Sequence, residues 1–298
     1  SIVGGRSEEG VACSEGAICG DGIWTSWEKC DDGNTSNGDG CSSTCSPEGN
    51  DCGALYFDGT SSQGVMDCCN DDMDVSSLTL SLRFKSADPS KGSDQWLAQK
   101  RSGMLGGQTG YGIKITGSGE LAARIQTQLC PNPELPCGGS NYYLDLSGGQ
   151  VLSETWHHAA LSYDEENGKA VLYLDGVEVA SGEQGSGVEY NEEQPNIFLI
   201  GADEFISGAN PMPIAGSFFE GAIDDLALYE WVLSAPEIGL IISDGPIKLD
   251  PDSYYPFDQN GLAHPDYQEI GNPFMLVDTQ WYSGLDLCAE VCGDWVTE

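Results

Sequence analysis

The chain has 298 residues, of which 39% are hydrophobic, and it carries 48 acidic against 11 basic side chains, a formal net charge of −37. That length and apolar content allow one large β domain or two ordinary domains with a sizeable core, and they argue against disorder. The charge excludes nucleic acid and anionic membrane surfaces as partners, because binding phosphate needs clustered Lys and Arg; divalent cations or salt would relieve the self-repulsion.

Residues 1–52 are rich in Cys, Gly, Asp and Ser and poor in aliphatics. The opening "SIVGGRSEEG" lacks the charged-then-apolar layout of a secretory leader, so a secreted protein would be represented here by its processed form. Twelve cysteines (Cys13, Cys19, Cys30, Cys41, Cys45, Cys52, Cys68, Cys69, Cys130, Cys137, Cys288 and Cys292) predict a disulfide framework and an oxidising compartment, extracellular or at the cell surface. Zinc is the competing use, and the Cys-x2-Cys pairs it favours are missing. Cys130 and Cys137 enclose a small loop and suit each other, whereas a bond between adjacent Cys68 and Cys69 would be strained. The remaining connectivity stays open.

Within the first segment, "CDDGNTSNGDGC" (30–41) cannot build an apolar core. Cross-links and a hard cation would hold it. Asp21, Asp31, Asp32, Asn34 and Asp39 offer the oxygens that Ca²⁺ takes in flexible geometry, and the intervening glycines let the backbone converge them. The alternative is that these Asp/Asn-Gly pairs only make turns. Asn34-Thr35-Ser36 is also an N-glycosylation pattern, which competes with Asn34 as a ligand.

Residues 53–244 read as short strands separated by Gly-rich turns. "SLTLSLRF" (77–84) alternates Leu78, Leu80, Leu82 and Phe84 with polar residues and predicts a half-buried strand. "YGIKI" (111–115) and "ELAARIQT" (120–127) flank a Gly-Ser-Gly turn, and "WHHAALSYD" (156–164) pairs with "KAVLYLDGVEVA" (169–180), itself folded at Asp175-Gly176. "NIFLIG" (196–201) and "FFEGAIDDLALYE" (218–230) add further strands. Ser234-Ala-Pro-Glu237 is a capping box opening a short helix, expected against the rim. The pattern predicts an all-β, two-sheet antiparallel sandwich.

Residues 245–298 carry eight aromatics and one Lys, too little to form an independent core. This tail must lie on its own sandwich or on a neighbouring copy by strand addition, the second route leading to self-association and filaments.

Four stretches, "ALYFDGTSSQGV", "WHHAALSYDEENGKAVLYLDGVEVASG", "IFLIGAD" and "FEGAIDDLALYEWVLSAPEI", closely resemble the laminin-G-like, concanavalin-type jelly roll. The resemblance implies a sandwich of roughly a dozen strands. "CGDGIWTSWEKCDDGNTSNGDGCSSTC" (19–45) resembles the Notch-type cysteine repeat. The jelly-roll family implies a rim calcium, for which Asp203 with Glu204, or Asp224 with Asp225, are candidates.

No catalytic set emerges. Trp156-His157-His158 places its imidazoles on opposite faces of a strand, so they cannot share one ion. "EGAIDDL" aligns Glu220, Asp224 and Leu226 on one face and Asp225 on the other, without the paired carboxylates of a glycosidase. The expectation is a non-enzymatic extracellular structural or adhesive subunit stabilised by disulfides and calcium. The alternatives are a calcium-dependent lectin-like receptor domain that takes a glycan, and an accessory region of a larger secreted enzyme, as in plasma metalloproteases whose His-Glu-x-x-His is missing here.

Overall fold

A computed structural model of the chain describes residue 35 and residues 53–66, 73–102, 108–128, 142–184, 186–188, 190, 196–203, 217–257, 263–264, 274–277 and 279–283. All twelve cysteines lie outside these residues, as do Asp21, Asp31, Asp32, Asn34, Asp39 and Glu204.

Seventeen strands are present among the described residues, more than the resemblance alone implies. The chain opens with β1 (Gly53–Asp58), β2 (Gln63–Met66), β3 (Leu78–Ser86), β4 (Gln95–Ser102), β5 (Gln108–Ile115) and β6 (Glu120–Gln128). It continues with β7 (Tyr142–Gln150), β8 (Trp156–Asp164), β9 (Lys169–Leu174), β10 (Val177–Glu183), β11 (Ser186–Val188), β12 (Asn196–Ile200) and β13 (Glu220–Tyr229). Helix α1 (Ala235–Asp244) follows, and then β14 (Ser253–Tyr255), β15 (Ala263–His264), β16 (Phe274–Val277) and β17 (Gln280–Ser283). One sheet runs β10-β9-β8-β3-β13-β1-β17, with β14 also on β13. The other runs β11-β6-β5-β4-β12-β2-β16-β15, with β7 also on β6. All pairings are antiparallel.

The core fills the space between the sheets. Leu78, Leu80, Leu82 and Phe84 of β3 meet Leu97, Tyr111, Ile113, Ile125, Phe198 and Ile200 of the opposite sheet, all buried. The first half of the other face of β3 is buried as well, which corrects the half-buried reading there: Thr79 and Ser81 are fully covered, whereas Arg83 and Lys85 are only partly so. The reason is α1. The helix packs Ile238 and Ile241 over Ala160, Tyr173, Ala227 and Tyr229, on the outer face of the first sheet and away from the rim. Thr79 Oγ1 donates to the Trp231 carbonyl and accepts from the Leu233 N–H, fixing the chain's entry into α1. The capping box forms: the Ser234 N–H and hydroxyl both donate to Glu237, at 2.8 and 2.6 Å.

Local chemistry sets the turns. Asp175 and Gly176 both take positive φ, 52° and 76°, as a type I′ hairpin turn requires. At the β1–β2 crossing between sheets, Asp58 Oδ1 accepts the N–H groups of Thr60, Ser61 and Ser62 at 2.8–3.0 Å. Burial alone would push the Asp58 carboxyl up, but these N–H donors together hold it well below the usual carboxylate range. Where β7 meets β10, Gly148 lets the backbones touch: a Cβ there would sit 2.3 Å from the Val179 carbonyl oxygen.

The described segments of the tail lie on the protein's own sandwich. β14 pairs with β13, β16 with β2 and β17 with β1, so residues after 244 contribute to both sheets. Tyr255, Phe257 and Phe274 enter the main core, with Tyr255 and Phe274 rings 4.8 Å apart in an edge-on contact.

Candidate functional site

The outer face of the second sheet presents a run of residues suited to a ligand. Inward positions of β5, β6 and β7 hold Tyr111, Ile113, Ile115, Leu121, Ala123, Ile125, Leu144 and Leu146. Strand alternation therefore turns Gly112, Lys114, Ala122, Arg124, Tyr143 and Asp145 outward. Gly112 sits opposite both Gln99 and Arg124, and Ala122 opposite both Lys114 and Ser147. Both small residues are buried among the larger side chains beside them, with Trp96 packed over Gly112. Gly112 is needed as glycine, since a Cβ would lie 2.8 Å from Trp96 Cζ3 and 2.6 Å from Gln99 Cβ.

Two cation–aromatic pairs flank them. On one side, Lys114 Nζ lies 5.2 Å from the Trp96 ring and 2.6 Å from Asp94 Oδ2. On the other, the Arg124 guanidinium lies 4.6 Å over the Tyr143 ring and grips Asp145 with two hydrogen bonds, 2.7 and 3.1 Å. The Asp145 hydrogen bond raises the Arg124 pKa further, so its charge is permanent. Asp145 and Ser147 are exposed and Tyr143 is partly so. Such a surface offers an aromatic face, fixed donors and fixed acceptors.

The acids proposed from sequence are placed elsewhere and apart. Asp203 follows β12 and accepts from Arg101 Nη1 at 2.7 Å and Gln99 Nε2 at 3.3 Å. Asp224 and Asp225 belong to β13 in the first sheet, where a bulge between Asp224 and Ala227 puts Asp225 at φ 50°. The bulge overturns the alternation expected for "EGAIDDL". Leu226 joins Ile223 in the core, while Asp224 lies opposite Arg83, and both acids are buried. Burial raises the Asp225 carboxyl even though Tyr254 donates a hydrogen bond to it. Among the described residues, no group of three or more His, Cys, Asp or Glu side chains is arranged to hold a metal ion.

The two histidines occupy opposite faces, as their adjacency in a strand requires. His157 Nε2 accepts the Leu152 N–H at 3.0 Å, which leaves the proton on Nδ1 to bond Asp175 Oδ2 at 2.7 Å. His158 Nε2 lies 2.9 Å from Ser81 Oγ, with both residues buried. Both imidazoles serve the fold.

Sequence reasoning missed this face because it followed the abundant acids. The available signal was the reverse: among only 11 basic residues, Arg124 and Lys114 sit on adjacent strands, with Tyr143-Leu-Asp145 on the next.

Residues 58–239 match the family model described as the concanavalin A-like lectin/glucanases superfamily, and residues 9–46 match a domain of unknown function. The comparison with curated proteins finds no match. Among solved structures, a putative carbohydrate binding protein from Bacteroides ovatus aligns with a TM-score of 0.55 at 17% identity, covering 78% of this chain and 59% of that one. A heptameric SAP-like pentraxin from Limulus polyphemus aligns at 0.49 with 15% identity, over 78% and 94% of the two chains. The CBM40 of a Ruminococcus gnavus IT-sialidase aligns at 0.47 with 19% identity, over 63% and 95%. This chain thus spans somewhat more than half the length of the Bacteroides ovatus protein.

Proposed function

The chain belongs to the concanavalin A-like lectin/glucanases superfamily, and from that premise we propose that it is a non-catalytic, extracellular glycan-binding protein whose site is the outer face of β5, β6 and β7. The observation that carries the reading is the Arg124–Tyr143–Asp145 arrangement on an open sheet face. A pyranose ring stacks on Tyr143, while the guanidinium and carboxylate hydrogen-bond adjacent hydroxyls. The glycan is neutral. Both cations of this face are matched by carboxylates, and a net charge of −37 repels an anionic sugar. The putative carbohydrate binding protein from Bacteroides ovatus supports this reading at the level of the fold. The twelve cysteines support an oxidising, extracellular setting. Calcium belongs to the amino-terminal module in this reading, on Asp21, Asp31, Asp32, Asn34 and Asp39. The structural or adhesive role is then one of holding glycan, with the tail spent on the protein's own sheets.

The test is a glycan array followed by calorimetry on the best neutral ligand. Tyr143→Ala should weaken binding about tenfold, the worth of a stacking contact, with unchanged circular dichroism. A chelator should leave binding intact. Absence of any bound glycan, or undiminished binding by Tyr143→Ala, overturns the site; loss of binding on chelation moves it to a calcium-dependent one.

A further inference from the structure

Lys100 and Asp74 form a buried pair that the proposed glycan site does not use. Lys100 lies on β4 opposite Tyr111 on one side and Phe198 on the other, both core residues. Its Nζ is 2.7 Å from Asp74 Oδ1, with the two side chains only 3% and 14% exposed. The acid is held by its neighbours. The Tyr111 hydroxyl donates to the Met73 carbonyl at 2.9 Å, and Tyr190 donates to the Val75 carbonyl at 2.8 Å while accepting the Val75 N–H at 3.0 Å. Two tyrosines thus clamp the residues on either side of Asp74, and their rings lie edge-on, 6.4 Å apart. Burial, the largest influence on each, keeps both hydroxyls protonated and the clamp closed at any physiological pH.

We propose that Lys100 and Asp74 condense into a side-chain amide cross-link. An ion pair in an aromatic interior is penalised for its charge, and transfer of one proton from Nζ to the carboxylate removes both charges. The neutral amine then attacks Cγ of the carboxylic acid. The new C–N bond replaces the C–OH bond, and the hydroxyl leaves with a proton from nitrogen as water. Atoms and charge balance with no oxidant, reductant or co-reactant. The clamp supplies what the reaction lacks in water, a reacting pair held in contact, which is worth a large effective concentration. The product joins the segment leading into β3 of the first sheet to the middle of β4 in the second. It is a covalent tie between the two layers.

The test is the intact mass of the full-length chain, denatured and with its disulfides reduced, followed by peptide mapping. The expected mass is one water below that of the sequence, with a bridged fragment containing Asp74 and Lys100, and Lys100→Met should restore the full mass. A wild-type chain at the full sequence mass overturns the proposal and leaves an ion pair. A deficit that persists in Lys100→Met also overturns it, by assigning the dehydration to another residue. The wild-type measurement needs no variant to fold.

Discussion

Replacing Asp203 by alanine asks what its carboxylate holds. The structure answers a guanidinium: Asp203 Oδ1 lies 2.7 Å from Arg101 Nη1, and the two side chains are 22% and 5% exposed. Breaking a fully buried pair costs about 3–5 kcal/mol, because the surviving charge is left in the interior. Two features reduce that here. Asp203 is partly open to water, and its own carbonyl oxygen also accepts from Nη1, at 2.5 Å, a bond that survives truncation. The expected loss is therefore about 2–3 kcal/mol. With a urea dependence of roughly 2–3 kcal/mol per molar for a domain this size, the midpoint should fall by about 1 M. Tryptophan fluorescence follows the transition, since Trp96 is buried on the neighbouring part of β4. The drop should be the same with and without a chelator. If the variant unfolds within about 0.2 M of the wild type, the pair contributes nothing; if the wild type with chelator behaves like the variant, Asp203 serves a metal and the ion-pair account fails.

Acid should weaken the sandwich well before its depressed carboxylates titrate. Burial and then Arg83 lower His158 to about 4, against a partial opposing pull from Asp175. The unfolded chain binds the proton first, near 6.5, so stability is complete above that pH and declines as pH falls toward 4, by about 3 kcal/mol in total. The depressed carboxylates of Asp58 and Asp175 act lower, losing their contributions below about pH 4. Urea midpoints for His158→Gln should be nearly flat between pH 7 and 5; a slope equal to that of the wild type would remove His158 from the account. Two glycine substitutions should move stability in opposite directions. Gly148→Ala sets a Cβ 2.3 Å from a backbone oxygen and should lower the melting temperature by several degrees, for a cost of about 1–3 kcal/mol. Gly239→Ala, in an exposed turn of α1 with nothing within 4 Å, should raise stability by up to about 1 kcal/mol. Equal effects by calorimetry would contradict the packing described.

The local rules written into the chain were legible. Alternating leucines gave β3, Asp175-Gly176 gave its hairpin, and Ser234 with Glu237 gave the start of α1. Tertiary facts were not. That α1 lies across a sheet face, covering Thr79 and Ser81 of β3, depends on Ala160 and Tyr173 from strands far off in the sequence. The bulge at Asp224–Ala227 hides in a sequence that reads as a regular strand, because an aspartate in the left-handed region leaves no mark on hydrophobic periodicity. The candidate site was invisible for a related reason. Its residues come from four strands, and only the register of Gly112 between Gln99 and Arg124 brings them level.

The β1–β17 ladder joins Leu55 to Trp281, ends of the sandwich separated by nearly the whole fold. On a ribosome, the neighbouring sheet layers can zip up while β1 still waits with an unsatisfied edge. A nascent intermediate of that kind is sticky. Folding should therefore finish late, in one closing event, and any premature truncation upstream of β16 should yield a molecule that clumps instead of one that merely lacks a tail.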